Sequence, residues 1–378
     1  MNRYIWKKRG TLPLTRRQFL GYTATLGASL CISNPLLRAA GPDKVTWVSP
    51  RGNLEVMDDF NLWVAQKMGY FKEMNLDVTL QPGPTEALAV TKLVGEKQAD
   101  IGFPSPGVLL SSVDAGIPVI LVWEMAMKQV FDFALPADSP ITRVQELAGK
   151  TIALGSEGWR VIVDPILVEA GVDPKHVTYL NAGPQWGQAV VLGRADAGLT
   201  WRGLAAQWMA LGLKLKFLVG TEFSGHPSNG YAIRREDLEH DARIDIWRRF
   251  FRANCMAFEF TRANPRAAAQ ITYTEFPALR EQVPPQLALD SMLELGTIYF
   301  DGARIGKGYG YSNLESWQSY IDTVYELGQT QKHYKAEDVV INFFVEAANH
   351  FDRERVREEG KAFNLKDEFQ DLEIRYPV

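Results

Sequence analysis

Gly95-Glu-Lys-Gln-Ala99-Asp100-Ile-Gly102-Phe103 and Gly193-Arg-Ala195-Asp196-Ala-Gly198-Leu199 are two renderings of one phrase, the first in the opening third of the chain and the second in its middle. Each follows an apolar run with helical spacing, and each reads as a helix stop followed by a short buried strand. The repetition predicts two lobes built on one plan with a cleft between them. The residues just past the strands, Phe103-Pro104-Ser105 and Thr200-Trp201-Arg202, are then placed to face the cleft. The repeated aspartates, Asp100 and Asp196, fit best as side chains that hold their turns in shape.

The pattern extends outward from both copies. Residues 44–49, 76–80 and 100–103 predict strands that alternate with helices over 60–68 and 86–94, the second behind the breaker-rich loop 81–85. This is the order of a parallel α/β sheet. Strands follow at 117–123 and 131–135, and the turn at 136–140 is expected to carry the chain across to the other lobe. The grammar restarts at Leu147-Ala-Gly149-Lys150-Thr151, runs through strands near 151–154, 177–180, 196–200 and 215–219, and a strand at 229–233 brings the chain back. Beyond residue 235 the pattern is mainly helical. Gly306-Lys307-Gly308-Tyr309-Gly310 follows no strand and lacks a Gly-Lys-Ser/Thr ending, so it reads as a flexible turn and not as a phosphate loop. The expected divisions are a leader over 1–40, a discontinuous first lobe over 44–128 and 230–350, a second lobe over 129–229, and a charged, solvated tail over 351–378.

Composition narrows the class. The first acidic residue is Asp43, and residues 1–42 hold seven Lys or Arg. Thr15-Arg16-Arg17-Gln18-Phe19-Leu20, ahead of a short, Gly- and Thr-diluted apolar run, resembles a twin-arginine export signal, which implies a periplasmic location. Without the leader, 34 basic residues face 45 acidic ones, a balance that disfavours nucleic acid and anionic membranes as partners. Cys31 lies in the leader, and Leu30 before it is too bulky for lipoprotein processing. Cys255 is then the single mature cysteine, so no internal disulfide forms and no cysteine-based metal site is expected. His176, His226, His240, His333 and His350 show neither metal-ligand nor triad spacing.

Gly69-Tyr70-Phe71, Gly95–Gly102, Ala115-Gly116-Ile-Pro118, Leu147–Ile152 and Gly193–Gly198, in that order, resemble the periplasmic solute-binding proteins of nitrate/sulfonate/taurine-type ABC importers. Their superfamily includes binding proteins for thiamine pyrimidine precursors and a fungal pyrimidine synthase. The resemblance spans residues 45–348. It implies the two-lobed, type II periplasmic binding protein fold, with parallel-rich sheets flanked by helices. It further implies a small polar or planar ligand (a sulfonate, carboxylate or pyrimidine) held between closing lobes, an ABC permease as partner, and a monomer. No catalytic residue, enzymatic activity, cofactor or metal is expected. The synthase-like enzyme and a periplasmic sensor for a membrane kinase stand as alternatives.

Loops beyond the strands supply the candidate ligand residues. The first lobe offers Ser49, Arg51, Asn53, Thr85, Glu86, Phe103 and Ser105. The second offers Ser156, Glu157, Trp159, Arg160, Gln185, Trp186, Trp201 and Arg202, with Asn229 and Tyr231 near the hinge. The tryptophans could form a stacking wall or pack beneath their loops. Arg51, Arg160 and Arg202 could each fork onto an anionic group or pair on the surface.

Overall fold

The computed structural model describes residues 41–378 except 85 and 87. The expected leader over 1–40 and the candidate Thr85 lie outside the described residues. Ten strands form two five-stranded sheets. The first contains β1 (Asp43–Val48), β2 (Leu76–Gln81), β3 (Ile101–Gly102), β4 (Val119–Glu124) and β10 (Gly230–Arg234), in the order β2-β1-β3-β10-β4. The second contains β5 (Phe131–Pro136), β6 (Thr151–Leu154), β7 (Thr178–Asn181), β8 (Ala197–Trp201) and β9 (Leu215–Leu218), in the order β7-β6-β8-β5-β9.

The two sheets repeat one plan, and the doubled phrase sits at the same point in each. Asp100 Oδ2 accepts from Thr46 N at 2.9 Å, and Asp196 Oδ2 accepts from Thr151 N at 2.9 Å. Each aspartate thus ties the entrance of the third strand to its parallel neighbour, β1 or β6. Neither sheet is wholly parallel. In each, the fourth-ranked strand, β10 or β5, runs antiparallel to both neighbours. The physical reason is connectivity, since each of these strands is delivered across the cleft by the other lobe and enters from the opposite end.

The expected crossing at 136–140 is corrected: the chain crosses between β4 and β5, over residues 125–130, and returns over 219–229. The crossings are bonded to each other, with Met125 N and Ala126 N donating to Asn229 O at 3.1 and 3.2 Å, and Ser228 N to Ala126 O at 2.9 Å. A paired two-chain hinge allows rotation about the crossing while resisting shear.

The principal helices are α1 (Phe60–Lys67), α2 (Ala89–Gly95), α3 (Pro106–Asp114), α4 (Arg160–Glu169), α5 (Trp186–Val191), α6 (Arg202–Ala210), α7 (Asp241–Ala263), α8 (Pro285–Tyr299), α9 (Leu314–Glu326) and α10 (Arg353–Lys361). Trp247, Phe250, Phe251, Met256 and Phe258 recur at helical spacing on α7 and are buried, which makes α7 the spine of the first lobe's core. The tail is not a solvated end: Val356 on α10 and Phe369 beyond it are fully buried. Burying these two apolar anchors overrides the surrounding run of charges. Among the described residues, no helix is long and apolar enough to cross a membrane.

Candidate ligand-binding cleft

The C-terminal ends of β1, β3, β6 and β8 point at one another across the hinge, so the loops after them meet. Between them lies a cavity of about 80 Å³. At about 30 Å³ of liquid volume per molecule, that is room for a few ordered waters.

One wall is aromatic. Trp159 and Trp201 line the cavity, with ring centroids 6.3 Å apart at 74°. Trp186 stands behind them, 5.2 Å from Trp159 and 6.4 Å from Trp201, and its indole donates to Leu199 O at 2.6 Å. Gly155 makes this approach possible, because a Cβ there would come within 2.7 Å of the Trp159 ring. The opposite wall carries Phe103, held edge-on by Tyr231 at 5.1 Å. Tyr299 from α8 and Phe131 from the start of β5 add to the aromatic lining.

The other wall is charged. Arg51 forms an ion pair with Asp59 and reaches Asp58 Oδ1 at 3.9 Å. All three side chains are largely buried. Burial, and next the neighbouring Asp59, push the Asp58 carboxyl up to about 6, against the pull of Arg51. Burial works against the Arg51 charge, yet Asp59 and Asp58 outweigh it and hold the guanidinium more firmly protonated than usual. Asp58 Oδ2 and Trp201 Nε1 are both buried, and the indole N–H interacts with the Asp58 carboxyl, opposing the rise in its pKa. Across the cleft Asp58 abuts the first turn of α6, where a Cβ on Gly203 would lie 1.7 Å from Oδ2. The positive end of that helix dipole faces the carboxylate.

Of the candidates, Arg51, Glu86, Phe103, Ser105, Trp159, Trp201 and Asn229 line the cavity. Ser105 also caps α3, accepting from Val108 N at 3.4 Å, and Asn229 donates to Phe103 O at 3.4 Å. The remaining described candidates lie elsewhere. Ser49 is consumed by its own turn, accepting from Arg51 N at 3.1 Å, and Tyr231 is fully buried behind Phe103. Asn53, Glu157 and Gln185 are exposed and Ser156 is half-buried, none of them lining the cavity, and Trp186 is a support. Arg160 stacks 4.7 Å from the Tyr179 ring and pairs with Asp164 at 3.4 Å, one helical turn on. Arg202 donates to Glu294 O on α8 at 3.3 Å and to Thr221 Oγ1 at 3.2 Å, so it bridges the lobes and does not line the space between them.

Sequence reasoning missed Asp58, Tyr299 and Phe131. Asp58 and Asp59 both suit the cap of α1, yet neither caps it; Asp59 is spent on Arg51. Two adjacent acids ahead of a helix, with an arginine seven residues earlier, were the available signal.

The sequence model of the family described as NMT1/THI5 like matches residues 58–268. The 4-amino-5-hydroxymethyl-2-methylpyrimidine phosphate synthase THI13 of Saccharomyces cerevisiae is 29% identical over 139 residues, which is 36% of this chain and 41% of that protein. The synthase of that name from Aspergillus parasiticus is 27% identical over 154 residues, 39% of this chain and 45% of that protein. The match thus spans less than half the length of these curated relatives. Among solved structures, the alkanesulfonate-binding protein SsuA from Xanthomonas axonopodis pv. citri bound to MOPS superposes with a TM-score of 0.60 at 15% identity, covering 80% of this chain and 99% of that one. The periplasmic aliphatic sulphonate binding protein SsuA of Escherichia coli gives 0.58 at 14% identity, covering 80% and 92%. The fold is that of the periplasmic binding proteins. The expectation of a chain without enzymatic activity is corrected, because the curated relatives detectable by sequence carry the names of enzymes.

Proposed function

The chain belongs to the NMT1/THI5-like family, and on that footing we propose that its cleft captures a single-ring nitrogen heterocycle of the aminopyrimidine class, neutral or cationic. The charge balance of the cavity carries this reading. Among the described residues, Arg51 is the only basic side chain lining it, and Arg51 is already shared between Asp59 and Asp58. A sulfonate or carboxylate entering there would meet the surplus charge of the carboxylates and no free guanidinium, at a desolvation cost it could not recover. A ring amino group or protonated ring nitrogen instead donates to the Asp58 carboxylate, which lines the cavity. The ring lies against Trp159 or Trp201, whose stacking contributes about 0.5–1.5 kcal/mol beyond area burial.

Capture serves uptake in this reading. The ligand touches both lobes, so it favours their approach, and a membrane permease of the ABC type receives the loaded form. The chain works as a monomer outside the cytoplasm, exported through the arginine pair at 16–17. A second reading is favoured by the names of the curated relatives: the heterocycle is made or converted in this cleft, as by a pyrimidine phosphate synthase. Tryptophan-fluorescence titration of the purified protein with 4-amino-5-hydroxymethyl-2-methylpyrimidine and with MOPS tests the binding reading. Saturable quenching by the pyrimidine alone supports it; quenching by MOPS alone rejects it. Chromatography of the same samples separates the two roles, since recovery of unchanged ligand supports uptake and a new pyrimidine product supports synthesis.

A further inference from the structure

The turn at 306–310 is neither flexible nor empty of chemistry. Tyr309 at its centre is fully buried, and its backbone is clamped by Asn349, which accepts from Tyr309 N at 2.9 Å and donates to Tyr309 O at 3.0 Å. Gly310 permits the approach of Trp123, whose indole would lie 2.2 Å from a Cβ there. The amides of Gly306, Lys307 and Gly308 are spent on Ala303 O and Gly302 O, so the turn itself is no phosphate loop.

Beside the turn is a groove of about 410 Å³ on the first lobe, walled by the end of α7, the turn and α10. Three half-buried arginines gather there on one buried acid. Arg353 Nη1 and Arg357 Nε donate to the two oxygens of Glu259 at 2.5 and 2.7 Å. Arg262 Nη1 reaches Tyr309 Oη at 3.4 Å, and that hydroxyl donates to Glu259 at 3.0 Å. The groove also holds exposed Lys307, with Glu346 as the one carboxylate of its own lining. Glu354 touches Arg357 from the solvent side at 3.6 Å, where water screens it. Arg353 and Arg357 already satisfy the Glu259 carboxylate, which leaves Arg262, in reach of the Tyr309 hydroxyl alone, and Lys307 as positive charge that this acid does not neutralise. Arg262 Nε is moreover buried without an acceptor.

We propose that this groove is a second binding site, separate from the cleft, for a small doubly charged oxyanion of the phosphate class, with Arg262, Arg357 and Lys307 as its ligands. Glu259 fixes the arginine forks in advance, which lowers the entropy lost on binding. Tetrahedral oxygens match such forks better than they match lysine alone.

The test is calorimetric titration of the full chain with inorganic phosphate at pH 7.5, against sodium chloride at matched ionic strength. The parent is expected to show one saturable site, Arg262→Gln/Arg357→Gln to lose at least tenfold in affinity, and Trp201→Ala in the cleft to bind phosphate unchanged. Lys307→Ala, an exposed position that does not endanger folding, is expected to lose severalfold. Cosedimentation with vesicles containing phosphatidic acid separates a free anion from a lipid headgroup: loss of the protein from vesicles on adding free phosphate supports the shared site. Phosphate heat that merely follows ionic strength, or equal phosphate affinity in the parent and Lys307→Ala, overturns the proposal.

Discussion

Gly203→Ala is the most demanding test of how the lobes meet. A Cβ at this position would lie 1.7 Å from Asp58 Oδ2 and 2.6 Å from its carboxyl carbon, so either the Asp58 carboxylate turns away from α6 or the two lobes part at that contact. Within α6 itself the change is favourable, since alanine exceeds glycine in a helix by about 0.8–1 kcal/mol. Local stability therefore holds or rises while closure weakens. What is lost is the carboxylate's place at the helix N-terminus, about 0.3–2 kcal/mol, together with part of the contact that a bound ligand makes with the displaced lobe. The sum, about 1–3 kcal/mol, corresponds to roughly 5- to 150-fold weaker ligand binding. Titration calorimetry reads the affinity, and small-angle scattering with saturating aminopyrimidine reads a larger radius of gyration than the parent's. An unchanged melting temperature accompanied by parental affinity and a parental radius would refute the argument.

Other expectations follow from the same contacts. Trp201→Ala should weaken aminopyrimidine binding by at least tenfold while far-UV circular dichroism stays parental. Because Asp58 titrates near 6, binding should weaken as pH falls through 6, and Asp58→Asn should flatten that profile in a pH series of titrations. Burial, first, lifts Asp132 to about 7 despite Arg202. The folded state thus keeps a proton that the unfolded chain has shed from about pH 4 upward, so this residue's contribution to stability declines between pH 4 and 7 and levels above. Asp132→Asn, which can still accept from Gly220 N, should raise the melting temperature at pH 8 and leave it nearly unchanged at pH 4. A drop at pH 8 would show that the attraction of the nearby Arg202 charge outweighs burial instead.

The two-lobed plan was legible in the sequence because Asp100 and Asp196 do the same work at the entrance of equivalent strands, and the helix stop and strand start around each recur as one short phrase. The antiparallel rank of β5 and β10 was not, since the partner strands come from the far lobe and no window of sequence contains both. Three of the five aromatic candidates, Phe103, Trp159 and Trp201, reach the cavity from positions beyond a strand end, while Trp186 and Tyr231 pack behind them. The arginines fared worse, because a long side chain can leave in any direction. Arg202 turned to Glu294 O and Arg160 to Asp164, partners invisible in their own segments. Asp58 was hidden by a competing explanation, helix capping, which suits the same residue type at the same place. The charged tail misled for a related reason, as Phe369 and Val356 anchor it through two side chains amid many exposed charges.

If Asp58 makes the cleft select an amino-bearing ring and exclude a sulfonate, two ligands and one variant reveal it. Calorimetric titration of the parent and Asp58→Asn with 4-amino-5-hydroxymethyl-2-methylpyrimidine and with MOPS addresses it directly. The parent is expected to bind the pyrimidine at least a hundredfold more tightly than MOPS, and Asp58→Asn to narrow the gap by at least tenfold. Tighter binding of MOPS by the parent, or selectivity unchanged by Asp58→Asn, would contradict it.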